Sequence, residues 1–447
     1  MERKGADWYD QSRDKTVLLK DKKDEDTEEG RMIRLAMIAD DLTGAMDTAA
    51  GFFARGADVR VFSFPERTDF FAGGEEVSVI DAETRHLAPE EAYLRVAALA
   101  KKAVQAGATH LYKKTDSALR GNIGSELAAM LCAGGGETVN FVPAFPQMGR
   151  TTKGGIHYVE GSPVAQSVFG QDPFEPVKDP YVLRIIGAQT EVPAVACGVG
   201  EFSRAPGICV YDAETEEDME GIADGLGAGG LRLCAGCAGF AQILARRLFP
   251  EKRHSEVQPA KGPLWVICGS VNPVTIKQLL WAQARGAVRL SLAPRQKLES
   301  AWLLTDEGDR LAAAALAAGK RADCIIVDTL DQSRGETWRL AQGRDMTLPE
   351  MRERIAEVLG GVVRKLLEAG LEGTLMCTGG DVLQSVLCTL GVESLRLQGE
   401  IAPGVVRAGF LYGEEERTVL TKSGGFGGQE LLERLVQELK KGGTGKT

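Results

Sequence analysis

The stretch RLAMIADDLTGAMDTAAGFFARG, residues 34–56, decides how the whole chain is read. It opens with a short apolar run, Arg34 to Ile38, which reads as a buried strand. The run ends in a polar pair, Asp40 and Asp41. The residues that follow take helical spacing and close on Gly56, suited to the left-handed position just past a helix end. Strand, polar exit and helix make one βα unit.

The unit recurs. ADVRVFSF alternates as a strand, and EEVSVIDAETR is a strand ending in polar residues. PEEAYLRVAALAKKAVQAG is a helix with proline in its first turn and glycine past its end. THLYKK, GNIGSELAAMLCAG and TVNFVPAFP continue as strand, helix and strand. The polar, proline-bearing stretch ARRLFPEKRHSEVQPAKGP, residues 245–263, reads as a linker. The pattern then restarts with LWVICGSVNPVTIKQLLWAQARG. It repeats as strand, glycine turn and helix in GTLMCTGGDVLQSVLCTLG and TVLTKSGGFGGQELLERLVQELKK. This alternation predicts an α/β fold: two α/β domains with mostly parallel sheets and a cleft between them, residues 32–250 and 262–447. Residues 1–31 carry many charges of both signs and little to bury, which predicts a disordered extension.

The bulk numbers exclude several partners. The net charge of −10 gives no electrostatic reason to expect nucleic acid or an anionic membrane. No apolar run is long enough for a membrane helix, and the first residues lack the apolar core of a signal peptide. Nine cysteines without a paired framework fit reduced thiols in a cytoplasm. Cys234 and Cys237 form a lone C-x-x-C without a second pair or a nearby histidine, and read as small apolar residues rather than zinc ligands. An acidic chain that binds an anion must do so with a local basic cluster.

Such a cluster stands at predicted strand ends, where parallel sheets bind ligands. The three ends carry Asp40-Asp41, Thr84-Arg85 and Lys113 to Asp116, the last within YKKTDSALRGN, residues 112–122. Lys114, Arg85 and Arg120 suit a carboxylate, which arginine can grip through two parallel bonds. Asp41, Asp116 and Ser117 suit hydroxyls, and Asp41 or Asp116 can serve as a general base toward one. Asp40 and Asp41 equally suit capping of the following helix, and Arg120 equally suits a solvated charge at a helix start. In FVPAFPQMGRTTKGGIHYVEGSPV, residues 141–164, Pro143 and Pro146 stiffen a strand exit, and Gly149 through Gly155 read as a flexible basic loop that fits a lid, with Arg150, Lys153 and His157 as its polar tips.

In the second half, three strand-to-helix junctions carry small residues: Gly269-Ser270, Thr378-Gly379-Gly380 and Ser423-Gly424-Gly425. Glycine admits close backbone approach, and the helix start offers free N–H groups to a phosphate. Neither G-x-x-x-x-G-K-[ST] nor a helix-opening G-x-G-x-x-G is present, so any phosphate scheme is of another type.

Taken in order, IADDLTGAMDTA, Thr84-Arg85, KKTDSALRGNIGSEL, PAFPQMGRTTKGGIHYVEGSPV, CGSVNPVTIKQL, TGGDV, GEIAPGV and KSGGFGG resemble the four-carbon acid sugar kinase family, formerly a domain of unknown function. The resemblance implies an ATP-dependent kinase of sugar-acid catabolism. Its acceptor would be the 4-hydroxyl of D-threonate, D-erythronate or a 3-oxo-tetronate. It implies that the first domain holds the sugar acid and the second holds ATP, with Mg²⁺ riding on the phosphates. Carried onto this sequence, Asp41, Arg85, Lys114, Thr115, Asp116 and Ser117 are the implied substrate contacts. Ser270, Thr378, Gly379, Gly380, Asp381 and Gly424 are the implied ATP contacts. The chain departs from the pattern at Asp381, where family members often have glutamate, and at Cys268-Gly269-Ser270 with Asn272 before Pro273. Two other classes fit the residues alone: an isomerase or aldolase whose glycine turns hold a substrate phosphate, and a non-catalytic sugar-acid sensor. Partners are then the sugar acid and ATP, with a homodimer as the base-rate assembly.

Overall fold

The computed structural model describes residues 33–64, 74–172, 175–250, 262–333, 335–422 and 425–443. The predicted extension, most of the predicted linker, and the Ser423-Gly424 turn lie outside them.

The first half supplies β1 (Leu35–Ala39), α1 (Leu42–Phe53), β2 (Val59–Phe62), β3 (Val77–Asp81), α2 (Pro89–Gln105), β4 (His110–Lys114), α3 (Ile123–Ala133) and β5 (Thr138–Val142). Next come β6 (Arg150–Lys153), β7 (Ile156–Val159), β8 (Ser162–Pro163), α4 (Val182–Gly187), β9 (Ala194–Cys197), β10 (Gly207–Tyr211), α5 (Glu216–Gly230), β11 (Leu233–Gly236) and α6 (Ala238–Leu248). The second half supplies β12 (Leu264–Cys268), α7 (Pro273–Ala284), β13 (Val288–Ser291), α8 (Pro294–Leu298), α9 (Asp306–Gly319), β14 (Cys324–Asp328), α10 (Glu336–Gln342) and α11 (Leu348–Glu368). It ends with β15 (Thr374–Thr378), α12 (Gly380–Leu390), β16 (Ser394–Ala402), β17 (Val405–Tyr412), β18 (Glu415–Lys422) and α13 (Leu431–Gly443).

The alternating segments fold as the α/β pattern predicts, but the two parallel segments belong to one sheet. Its order is β13-β14-β12-β15-β18-β17-β16-β2-β3-β1-β4-β11-β5-β10-β9. β15 and β18 are parallel, whereas β18, β17, β16 and β2 are antiparallel in turn, so the two parallel segments run in opposite directions. Sheets twist by roughly 20–25° per strand, so the six steps from β15 to β1 accumulate about 120–150°. Strands that would run opposite ways in a flat sheet therefore come to point in similar directions, which lets their carboxyl ends approach each other.

Alternation along the strands divides the interior. Leu35 and Met37 face one core with Trp265 and Ile267, while Ala36 and Ile38 face a second and Leu264 and Val266 a third. The first core runs without a break through both halves, from Ala45, Met46 and Phe52 of α1 to Leu383 and Val386 of α12. α1 thus packs against β16 and α12 of the other half. The second core lies under α2 and α3, the third under α7 and α13. No helix among the described residues is long and apolar enough to cross a membrane.

Residues 150–163 correct one expectation. The predicted flexible lid is a three-stranded antiparallel sheet, β6-β7-β8, stitched to the main body by the pairs Thr152 with Ala213 and Ile156 with Tyr181. Alternating side chains over so short a run, broken by Gly154 and Gly155, give a weak strand signal; the hairpin is held by long-range pairing.

Candidate active site

Adjacent strands β3, β1 and β4 end in register, with Ala39 opposite both Asp81 and Lys114. The residues that follow these ends are therefore side by side. Asp41 caps α1, accepting the Gly44 N–H at 3.2 Å. Arg85 donates through Nε to Asp40 at 2.8 Å and through Nη2 to Asp41 Oδ1 at 2.6 Å, and Nη2 lies 3.8 Å from Asp116. The Asp40 carbonyl accepts the Thr84 and Arg85 N–H groups, which fixes the loop. Burial alone would raise the Asp40 carboxyl; Arg85, Lys114 and Lys113 hold it below its ordinary value.

Asp116 is gripped by Arg120 through Nε at 3.0 Å and Nη2 at 2.9 Å. It also accepts the Ala118 and Arg120 N–H groups. Against the cost of burial, Arg85 and Arg120 hold its carboxyl far below the usual range. Arg120 reaches on to Asp172 at 3.2 Å, so it is a fixed strut rather than a solvated charge. Asp41 differs: its Oδ2 takes no hydrogen bond from any described residue, and its side chain is 29% exposed.

Lys114 donates to the Thr115 carbonyl at 2.9 Å and pairs with no carboxylate among the described residues. A Cβ on Gly44 would stand 2.5 Å from Lys114 Nζ and 2.6 Å from Asp41 Oδ1, so these opposite charges converge over a glycine. Thr115 is buried, its N–H held by Gly236. Beneath them, Lys113 and Glu126 form a fully buried pair at 3.0 Å.

The Ser117 carbonyl accepts a hydrogen bond from His157 Nε2 at 2.9 Å, and His157 Nδ1 lies 3.1 Å from Thr152 Oγ1. His157 is fully buried, not a lid tip. The neutral ring suits both bonds, with Nε2–H donating and Nδ1 accepting. Burial pushes its pKa down to about 4 from 6.5. Above pH 6.5 both folded and unfolded states carry it neutral; below, only the unfolded chain gains the proton. Folding stability is therefore expected to fall between pH 6.5 and 4, by at most about 1.4 kcal/mol per unit from this group. His157→Gln should flatten that part of a pH-dependent urea-denaturation series; an unchanged slope would refute the assignment.

The other cluster lies at the carboxyl ends of β12, β15 and β18, where Cys268, Thr378 and Lys422 are in register. Ser270 Oγ accepts the Asn272 N–H, and Asn272 caps α7 through the Val274 N–H at 2.9 Å. Gly379 turns the chain at φ 100°, a conformation that suits glycine. α12 starts at Gly380 without a side-chain cap, so its first N–H groups suit an anion. Asp381 in that first turn pairs outward with Arg352 of α11 at 2.7 Å. Buried Lys422 donates to Thr275 at 3.2 Å, and burial lowers its pKa to about 8. Gly424 lies outside the described residues.

The clusters touch. A Cβ on Gly380 would stand 2.8 Å from Thr43 Oγ1, next to Asp41 and Gly44. Glu83, in the loop after β3, lies beside Gln384 and Asp381 of α12. Half-buried Asp47, one turn beyond Gly44, is pushed up to about 7 by burial, Asp41 and Glu400, against the pull of Lys114. Thr43, Asp47, Glu83, Glu126, Gln384, Glu400 and Lys422 were not among the expected site residues. Thr43, Asp47, Glu126, Glu400 and Lys422 lie within the motifs that carry the family resemblance (IADDLTGAMDTA, KKTDSALRGNIGSEL, GEIAPGV, KSGGFGG) but read from sequence without a role, while Glu83 and Gln384 read as ordinary loop and helix positions.

The family model described as a sugar-binding N-terminal domain matches residues 35–244, and that described as a nucleotide-binding C-terminal domain matches residues 265–432. The chain is 30% identical to a D-erythronate kinase of Heliobacterium modesticaldum over 89% of its own length and 94% of the relative's. The chain belongs to the four-carbon acid sugar kinase family. A second member, a D-threonate kinase of Salmonella typhimurium, is 29% identical over 90% of this chain and 97% of its own. Like its relatives, this family member is an enzyme, a phosphotransferase with an alcohol acceptor. The fold recurs in a Salmonella typhimurium crystal structure provisionally described as a tRNA synthase. That structure has a TM-score of 0.78 at 24% identity, covering 90% of this chain and 99% of that one.

Proposed function

We propose that this protein transfers the γ-phosphoryl group of ATP to the 4-hydroxyl of a four-carbon sugar acid, D-threonate, D-erythronate or a 3-oxo-tetronate. Residues 32–250 would hold the acid and 262–447 the nucleotide. The observation that supports this most is the contact between Thr43 and Gly380, which joins the Asp41–Arg85–Lys114 cluster to the glycine turn before α12.

In this reading the protein's own residues divide the work. Lys114, with no carboxylate partner, and the outer edge of Arg85 receive the substrate carboxylate. Asp41, with one oxygen open, accepts the hydroxyl proton. Asp116 is occupied by Arg120 and two backbone N–H groups, so it orders the Thr115–Ser117 turn that contacts the acid. Ser270, Thr378, Gly379, Gly380, Asp381 and Gly424 surround the nucleotide. Among the described residues no three His, Cys, Asp or Glu side chains are grouped to hold a metal. Mg²⁺ would ride on the phosphates, keeping waters and neutralising charge there. Cytoplasmic location follows from the reduced-thiol reading.

The test is ADP release in a panel of D-threonate, D-erythronate and their 3-oxo forms with ATP. The reading expects at least one to be phosphorylated at oxygen 4, identified by phosphorus NMR. ADP release with the phosphate placed elsewhere than on oxygen 4 would overturn the acceptor, and no ADP release with any of them would overturn the kinase reading.

A further inference from the structure

One side chain at the junction is used by neither the ion-pair network nor the family motifs' implied contacts. Thr43 stands between Asp41, which caps α1, and Gly44, over which Lys114 Nζ and Asp41 Oδ1 converge. Its Oγ1 is 2.8 Å, and its backbone N 3.9 Å, from where a Gly380 Cβ would be. Among the described residues that hydroxyl takes and gives no hydrogen bond. It therefore stands between the Asp41–Lys114 cluster and the uncapped start of α12.

We propose that Thr43 donates a hydrogen bond to the phosphoryl group as it passes from the nucleotide to the acceptor hydroxyl. This deepens the kinase reading above and rests on it. In the transfer, the acceptor oxygen bonds to the γ-phosphorus while the bond to the β–γ bridging oxygen breaks. The electron pair leaves with the nucleoside diphosphate, and the hydroxyl proton goes to the Asp41 carboxylate. Thr43 makes and breaks no covalent bond. It supplies a fixed donor where the equatorial oxygens carry charge, with no reorganisation at the moment of reaction. Gly380 is then a glycine for a steric reason as well: a side chain there would occupy the space this hydroxyl uses.

The competing account is that Thr43 only fills space between α1 and α12. Two substitutions separate the accounts. Thr43→Val keeps the volume and the methyl group and removes the donor; Thr43→Ser keeps the donor and removes the methyl group. Thr43→Val is expected to lower kcat by ~10²-fold, the scale for losing one donor to a developing charge. Thr43→Ser should stay within about threefold of wild type if the hydroxyl alone matters. A readout without turnover is calorimetric binding of ADP with aluminium fluoride in the presence of the sugar acid, which mimics the phosphoryl group in flight. Thr43→Val should weaken that complex by a similar factor while ADP alone and sugar acid alone bind as to wild type. Melting curves of both variants identify any loss of fold. If Thr43→Val matches wild type in kcat and in the fluoride complex, or if Thr43→Ser is as impaired as Thr43→Val, Thr43 is a spacer and the proposal falls. A wild-type protein that phosphorylates no tetronate overturns the kinase reading instead.

Discussion

Asp41→Asn is expected to lower kcat by roughly 10²–10⁴-fold at saturating ATP and sugar acid, the range for losing a positioned general base. The substitution keeps the shape of the side chain. Asparagine is as good a helix cap as aspartate, so the Gly44 N–H keeps an acceptor. Asp40 continues to hold Arg85 through Nε. What disappears is the carboxylate whose second oxygen is open. The melting temperature should therefore move by only a few degrees while turnover collapses. Asp116→Asn should behave in the opposite sense. Its carboxylate is already occupied by Arg120 at 3.0 and 2.9 Å, and it is held too acidic to take a proton. Its loss should appear first in the melting curve, with activity following the folded fraction. An Asp41→Asn enzyme that keeps near wild-type turnover would remove Asp41 from the role of base.

Lys113→Met is expected to cost about 3–5 kcal/mol of folding stability, the penalty for stranding one member of a buried ion pair. Lys113 and Glu126 are 0% and 1% exposed and 3.0 Å apart. Burial raises the Glu126 carboxyl, and Lys113 is the main group opposing that rise. Without the lysine, Glu126 must take up a proton or draw in water, both unfavourable beneath the site. Replacing the pair together, Lys113→Met with Glu126→Leu, removes both desolvation costs and keeps the volume. The double variant should recover most of the loss, because buried pairs contribute little net stability over apolar packing. Urea-denaturation midpoints of the four proteins of this cycle measure it. A single variant within 1 kcal/mol of wild type would show that the pair is already solvated.

Much of this was legible along the chain. β1, β3, β4, β12 and β15 and the helices after them were visible because buried parallel strands are apolar runs and their helices carry caps, proline starts and glycine ends. Asp40-Asp41, Thr84-Arg85 and Lys113 to Asp116 were legible as candidates because polar residues accumulate at strand carboxyl ends, and the structure brings Asp41, Arg85, Lys114 and Asp116 into one cluster. The β6-β7-β8 sheet was read as a loop because its pairing is decided by partners distant in sequence, and His157 was read as a tip for the same reason.

The amino-acid sequence by itself determined the local units, the strand ends at which chemistry collects, and the family. Each follows from periodicity, turn residues or short motifs, which act over a few positions. Only the tertiary structure decided that the two parallel segments join in one sheet through β16, β17 and β18, and that Thr43 meets Gly380. It also decided which aspartate is occupied and which is open. Those outcomes depend on accumulated strand twist and on side-chain partners brought together from distant parts of the chain, and no local pattern carries that information.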